Sequence, residues 1–173
     1  QAMQSIALAE DLARDKSVPS CPGWTVADLF GHVVSNHRWV RTILRTRERA
    51  DAPPPTPDPV ADFVDSVADQ LIAVRNIAPD EPCWNFGPPP RVAGFWTRRQ
   101  AHEHVIHHWD LANALGLPDI EIDAELAADA AALDQLALWA LRGLTALEPG
   151  FDVEAWSYPD GVPEAIRRRP SRW

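Results

Sequence analysis

The chain has 173 residues, 16 of them basic and 25 acidic, for a formal net charge of -9. That length suits one ordinary hydrophobic core rather than two large domains, and the acidic balance argues against phosphate-backbone binding, which depends on clustered Lys and Arg. At 46% hydrophobic and 24% charged, the composition is globular, and no apolar run approaches the roughly 18 residues of a membrane span.

The opening segment, QAMQSIALAEDLARD, carries acidic groups and lacks the basic-then-apolar pattern of an export signal. Ile6, Leu8, Ala9 and Leu12 predict a first helix from Met3 to about Arg14. Pro19 and Pro22 in SVPSCPGW then forbid its continuation. Thr25 with Asp28 reads as a capping box, and Leu29, Val33, Val40 and Leu44 carry a second helix to about Arg47. The run DAPPPTPDP predicts a stiff extended connection. Asp58 before Pro59 marks the start of a third helix with a stripe of Phe63, Val67, Leu71 and Val74.

Residues 79–94 form a long loop rich in Pro, Gly and aromatics, a type that often has a functional reason to exist. Thr97 to Gln100 matches a capping box, which predicts a fourth helix from Thr97 to Leu115, stopped at Gly116. Asp123 caps a fifth, Ala- and Leu-rich helix to about Leu147. The expected fold is all-α, a bundle of four or five helices over residues 1–147. Residues 148–173 would be an extension packed on the bundle or partly disordered. Cys21 and Cys83 are too few for a disulfide scaffold and lack metal-type spacing, which suits a reducing cytoplasm.

The chemistry concentrates on the predicted fourth helix, where His102, His104, His107 and His108 fall within seven residues. Residues four apart share a helical face, so Glu103 with His107, and His104 with His108, are two candidate ligand pairs. Arg99 and Asp110 extend the Glu103–His107 stripe. Facing inward, such a stripe needs a partner charge or a metal ion. On the second helix, His32 borders the apolar face, while His37 is expected to lie off it and face solvent. Two histidines and one carboxylate from neighbouring helices would make a three-ligand metal site of catalytic type. The alternatives are a His-rich polar face on the fourth helix and a plain core or surface role for His32. Of the eight tryptophans, Trp24, Trp39, Trp96, Trp109 and Trp139 all occupy plausible packing positions. Cys21 offers a further ligand or a reactive thiol, but with no Cys or His close by it is expected to be a small buried residue.

CPGWTVADLFGHV, followed some 70 residues later by FWTRRQAHEHVIHHWDLANALG, resembles the N-terminal domain of mycothiol-dependent maleylpyruvate isomerase, within the DinB-like superfamily of metal-binding bundles. The resemblance spans about residues 3–147. It implies that His32, Glu103 and His107 bind a divalent ion, usually zinc, with one position open to water or a thiol. Asp110 would then orient a ligand, and His104 and His108 would lie outside the ligand set. The two-domain isomerases add a C-terminal α/β domain that contributes to thiol binding, whereas about 26 residues follow the last predicted helix here.

The leading expectation is a cytoplasmic metalloenzyme, monomeric or homodimeric, for which the resemblance suggests mycothiol or a similar low-molecular-weight thiol. The thiol would be transferred to an electrophilic small molecule, or would assist its isomerisation. Arg99 or Arg91 would steer an anionic group. No nucleic acid or membrane partner is expected. The rival possibilities are a hydrolase using metal-bound water and a non-catalytic metal-binding module.

Overall fold

A computed structural model describes residues 13–87, 89–117, 122, 124–126 and 129. Nearly all of the predicted first helix, most of the fifth, Trp139 and the 148–173 extension lie outside these residues. Within the predicted fifth helix, residues 124–126 and 129 are helical. The described chain is all-α, as expected, with three long helices: α1 (Val26–Thr46), α2 (Pro59–Arg75) and α3 (Gly94–Leu115). Two isolated bridges, Ser17 with Thr25 and Pro82 with Val92, close the loops that precede α1 and α3. Among the described residues, no helix is long and apolar enough to cross a membrane.

The capping box at Thr25 is formed. The Asp28 N–H donates to Thr25 Oγ1 at 3.2 Å, and the Thr25 N–H donates to Asp28 Oδ2 at 2.8 Å. Two otherwise unpaired backbone donors are thereby satisfied. Arg47 ends α1 in the left-handed region, with φ 67°. Asp58 caps α2 ahead of Pro59, as the sequence implies.

α2 runs parallel to α1, not antiparallel. Phe30 meets Phe63 with ring centroids 4.9 Å apart, His37 meets Ser66, and Arg41 pairs with Asp69. Position numbers thus rise together along both helices. A parallel neighbour requires the chain to return the full height of α1, and the proline-rich connection does so. The Trp39 indole N–H donates to the Ala50 carbonyl, and Arg38 donates to the Pro54 carbonyl. Twelve residues of polyproline-like chain span about 37 Å, ample for the ~22 Å descent from Thr46 to the level of Gly31. α3 is antiparallel to α1. Trp96 packs in one cluster with Val40, Ile43 and Leu44 near the C-terminal end of α1, and Leu111 packs with Leu29, Phe30 and Val33 near the other end. Polar side chains of α3 occupy the stretch between these two clusters.

Three expectations are corrected. α3 begins at Gly94, three residues before Thr97, and has no side-chain cap. Its first N–H groups are taken by the preceding loop: Ala93 donates to the Glu81 carbonyl and Gly94 to the Pro79 carbonyl. Backbone acceptors do there what a capping box would do. On α2, Leu71 is 46% exposed while Ser66 and Gln70 are buried, because the buried face steps through 63, 66 and 70. His37, expected at the surface, is 2% exposed. The parallel packing of α2 covers it.

Candidate metal centre

α1 contributes His32, and α3 contributes Glu103 and His107, one helical turn apart. Glu103 Oε2 lies 3.1 Å from His107 Nε2 and 3.5 Å from His32 Nε2. The two imidazole rings meet edge to face, with centroids 4.8 Å apart. One donor atom from each of the three residues falls within 4.8 Å of the others, a grouping able to hold a metal ion. Both ends of the site are anchored. Arg99, one turn before Glu103, pairs with Oε1 and leaves Oε2 directed at the histidines. Asp110, three residues after His107, accepts the His107 Nδ1–H at 2.8 Å on Oδ2.

The electrostatics follow from burial and these contacts. Burial alone would raise the Glu103 carboxyl. The hydrogen bonds to His107 and His32 and the Arg99 charge outweigh it and hold Glu103 well below the usual carboxylate range. Burial alone would lower His107, but Asp110 and Glu103 push it up to about 9. The side chains of the site thus form an ion-paired cluster. Glu103 is anionic, and His107 gives one N–H to each neighbouring carboxylate. Removing the Nε2 proton exposes a lone pair beside the Glu103 and His32 donors, while the Nδ1 proton stays with Asp110. The donor set, two imidazoles and one ionised carboxylate at 9% exposure, fits a divalent ion of the zinc class.

The remaining candidates are placed as follows. His104 points to another neighbour, with its Nε2 2.8 Å from His37 Nε2, and so is turned away from a pairing with His108. Arg99 is engaged with Glu103. Arg91 is exposed and donates to the Gly87 carbonyl. Cys21 is half-buried, its thiol directed at Asp110 Oδ2 at 3.9 Å. Burial and the Asp110 charge push that thiol up to about 11. The 79–94 loop seats Trp84 and Phe86 around Trp96 at the N-terminal end of α3. Among these residues it is an aromatic anchor, two turns of helix from Glu103.

Sequence reasoning missed two participants. The spacing Val33, His37, Val40, Leu44 was the available signal that His37 belongs to the buried face. Ser20, whose hydroxyl donates to Asp110 Oδ1 at 2.5 Å across 90 positions, left no local signal.

Fold and site together define a helical bundle whose facing helices present a His–Glu–His donor set. The chain belongs to the mycothiol maleylpyruvate isomerase N-terminal domain family, whose model matches residues 2–112. Neither the curated proteins nor the solved structures include a match to it.

Proposed function

We propose that His32, Glu103 and His107 hold a divalent ion of the zinc class, with which the protein activates a low-molecular-weight thiol of the mycothiol type. The thiol would attack an electrophilic small molecule, in transfer to it or in its isomerisation. The observation that carries this is the convergence of Glu103 Oε2 with the Nε2 atoms of His32 and His107. Family membership supports the choice of thiol. When bound, the ion supplies positive charge that favours the thiolate form of a thiol at neutral pH.

The chain's own residues do the positioning. Arg99 occupies Glu103 Oε1 and so selects Oε2 as the donor oxygen. Asp110 keeps the His107 proton on Nδ1 and so commits Nε2 to the ion. The Trp24 ring, with its centroid 5.2 Å from that of His32, packs on one side of the site. His32 is the most exposed of the three, with 39% of its side chain accessible, so a small molecule would approach past it. Three protein ligands leave one position for that molecule, as catalytic zinc sites do.

The test is turnover of an activated aryl or alkyl halide by zinc-loaded protein, with and without mycothiol. Thiol-dependent conjugation that disappears in Glu103→Ala is expected. Equal substrate loss without thiol would overturn the thiol assignment in favour of a hydrolase.

A further inference from the structure

The turn that precedes α1 touches both helices of the metal centre. Val18, Cys21 and Trp24 close it by backbone hydrogen bonds: Val18 N–H to the Trp24 carbonyl at 2.9 Å, Cys21 N–H to Val18, and Trp24 N–H to Cys21, both at 3.0 Å. Pro19 and Pro22 stiffen it, and Gly23 takes φ 84°, a left-handed conformation that strains other residues. The turn is tied to α1 where Val26 N–H donates to the Lys16 carbonyl. From this rigid frame Trp24 packs on His32, the α1 donor. On its other side Ser20 reaches α3 and donates to Asp110 Oδ1. Both Ser20 and Asp110 are 4% exposed, so the bond is formed away from bulk water.

Asp110 as a carboxylate only accepts. Its Oδ1 receives the Ser20 hydroxyl, and its Oδ2 receives the His107 Nδ1–H and faces the Cys21 thiol. A carboxylate held at Oδ1 cannot rotate away from the imidazole it holds at Oδ2. We propose that Ser20 is a positioning residue for the metal centre: through Asp110 it fixes the orientation of His107, so that Nε2 is presented to an ion bound with His32 and Glu103. This rests on the proposed ligand set. It goes beyond it by assigning a metal-affinity role to a residue whose side-chain hydrogen bond goes to Asp110 and not to one of the three ligands.

The experiment measures zinc affinity by competition with a chelator in wild type, Ser20→Ala, Ser20→Thr and Asp110→Asn, and in the Ser20→Ala/Asp110→Asn double variant. The stability of each metal-free protein is read alongside. Outer partners of a metal-bound histidine are commonly worth 10- to 100-fold in affinity, so Ser20→Ala is expected to weaken zinc binding about tenfold. Ser20→Thr, which keeps the hydroxyl, should restore most of that loss. In the Asp110→Asn background, Ser20→Ala should weaken binding no further. Bound cobalt(II) should show an altered visible spectrum in Ser20→Ala, a change that lost stability alone does not produce.

Affinity within about twofold of wild type in Ser20→Ala, or an undiminished Ser20 effect in the Asp110→Asn background, would overturn the proposal. If Ser20→Ala does not fold, Ser20→Cys, a near-isosteric weaker donor, takes its place: weakened binding supports the proposal and wild-type affinity overturns it. Failure of the wild type to bind zinc would instead remove the ligand assignment itself, so the two failures are distinct.

Discussion

His37 and His104 meet Nε2 to Nε2 at 2.8 Å, with their ring planes 13° apart. The ring centroids are 4.8 Å apart. The proton order follows from Ser66. Its hydroxyl donates to the Phe63 carbonyl at 2.8 Å and must therefore accept the His37 Nδ1–H at 2.9 Å. His37 Nε2 is then the acceptor for His104 Nε2–H. The pair, with Ser66, joins α1, α2 and α3 beside the metal centre, and its order requires the accepting ring, His37, to be neutral.

Acid should unfold the protein through this pair. Burial, together with the nearby His104 and Arg41, pushes His37 down to about 3 from an ordinary 6.5. A folded value below the unfolded one contributes stability in full above about pH 6.5, and that stability drains away as pH falls toward 3. The loss is at most about 1.4 kcal/mol per pH unit for one proton. Urea unfolding between pH 7 and 4 should show a shallower acid slope in His37→Gln than in wild type. Parallel slopes would refute this account.

Metal binding should release a proton. His107 sits near 9 and carries both ring protons at neutral pH, and a zinc-class ion must take the place of the one on Nε2. Calorimetry in buffers of different ionisation enthalpy should show about one proton released per ion at pH 7. Affinity should rise roughly tenfold per pH unit and level off near pH 9. Binding without proton release would show that His107 is not a ligand.

Loss of any one of the three donors should empty the site. Elemental analysis of His32→Ala, Glu103→Ala and His107→Ala is expected to show metal at background after dialysis, against one ion per chain in wild type. Glu103→Ala should also cost stability, because Arg99 and His107 lose a buried countercharge. Undiminished metal in all three variants would mean that the ion binds elsewhere.

The aromatic anchor should dominate stability at the far end of α3. Trp96 is 1% exposed, meets Trp39, Phe86 and Phe95 edge to face, and donates its indole N–H to the Trp84 carbonyl at 2.7 Å. Trp96→Ala should lower the unfolding free energy by about 3–5 kcal/mol in denaturant titration. A loss below about 1 kcal/mol would show that the 79–94 loop does not depend on it.

Much of this molecule was legible because it is local. The Thr25–Asp28 box, the Asp58–Pro59 start and the stop at Gly116 each depend on residues within one turn of each other, and each stands where the sequence places it. The Arg99, Glu103, His107, Asp110 stripe is helical arithmetic, so its convergence follows once α3 is a helix. Tertiary structure decided what lies opposite. A proline-rich connection long enough to reverse the chain set α2 parallel to α1, and that buried His37 against Ser66. Loop carbonyls at Pro79 and Glu81 displaced the expected cap and moved the start of α3 to Gly94. Ser20 met Asp110 only because the turn before α1 packs on the end of α3. Backbone propensity and periodicity act over a few residues, whereas burial and pairing depend on neighbours that the chain brings in from far along its length.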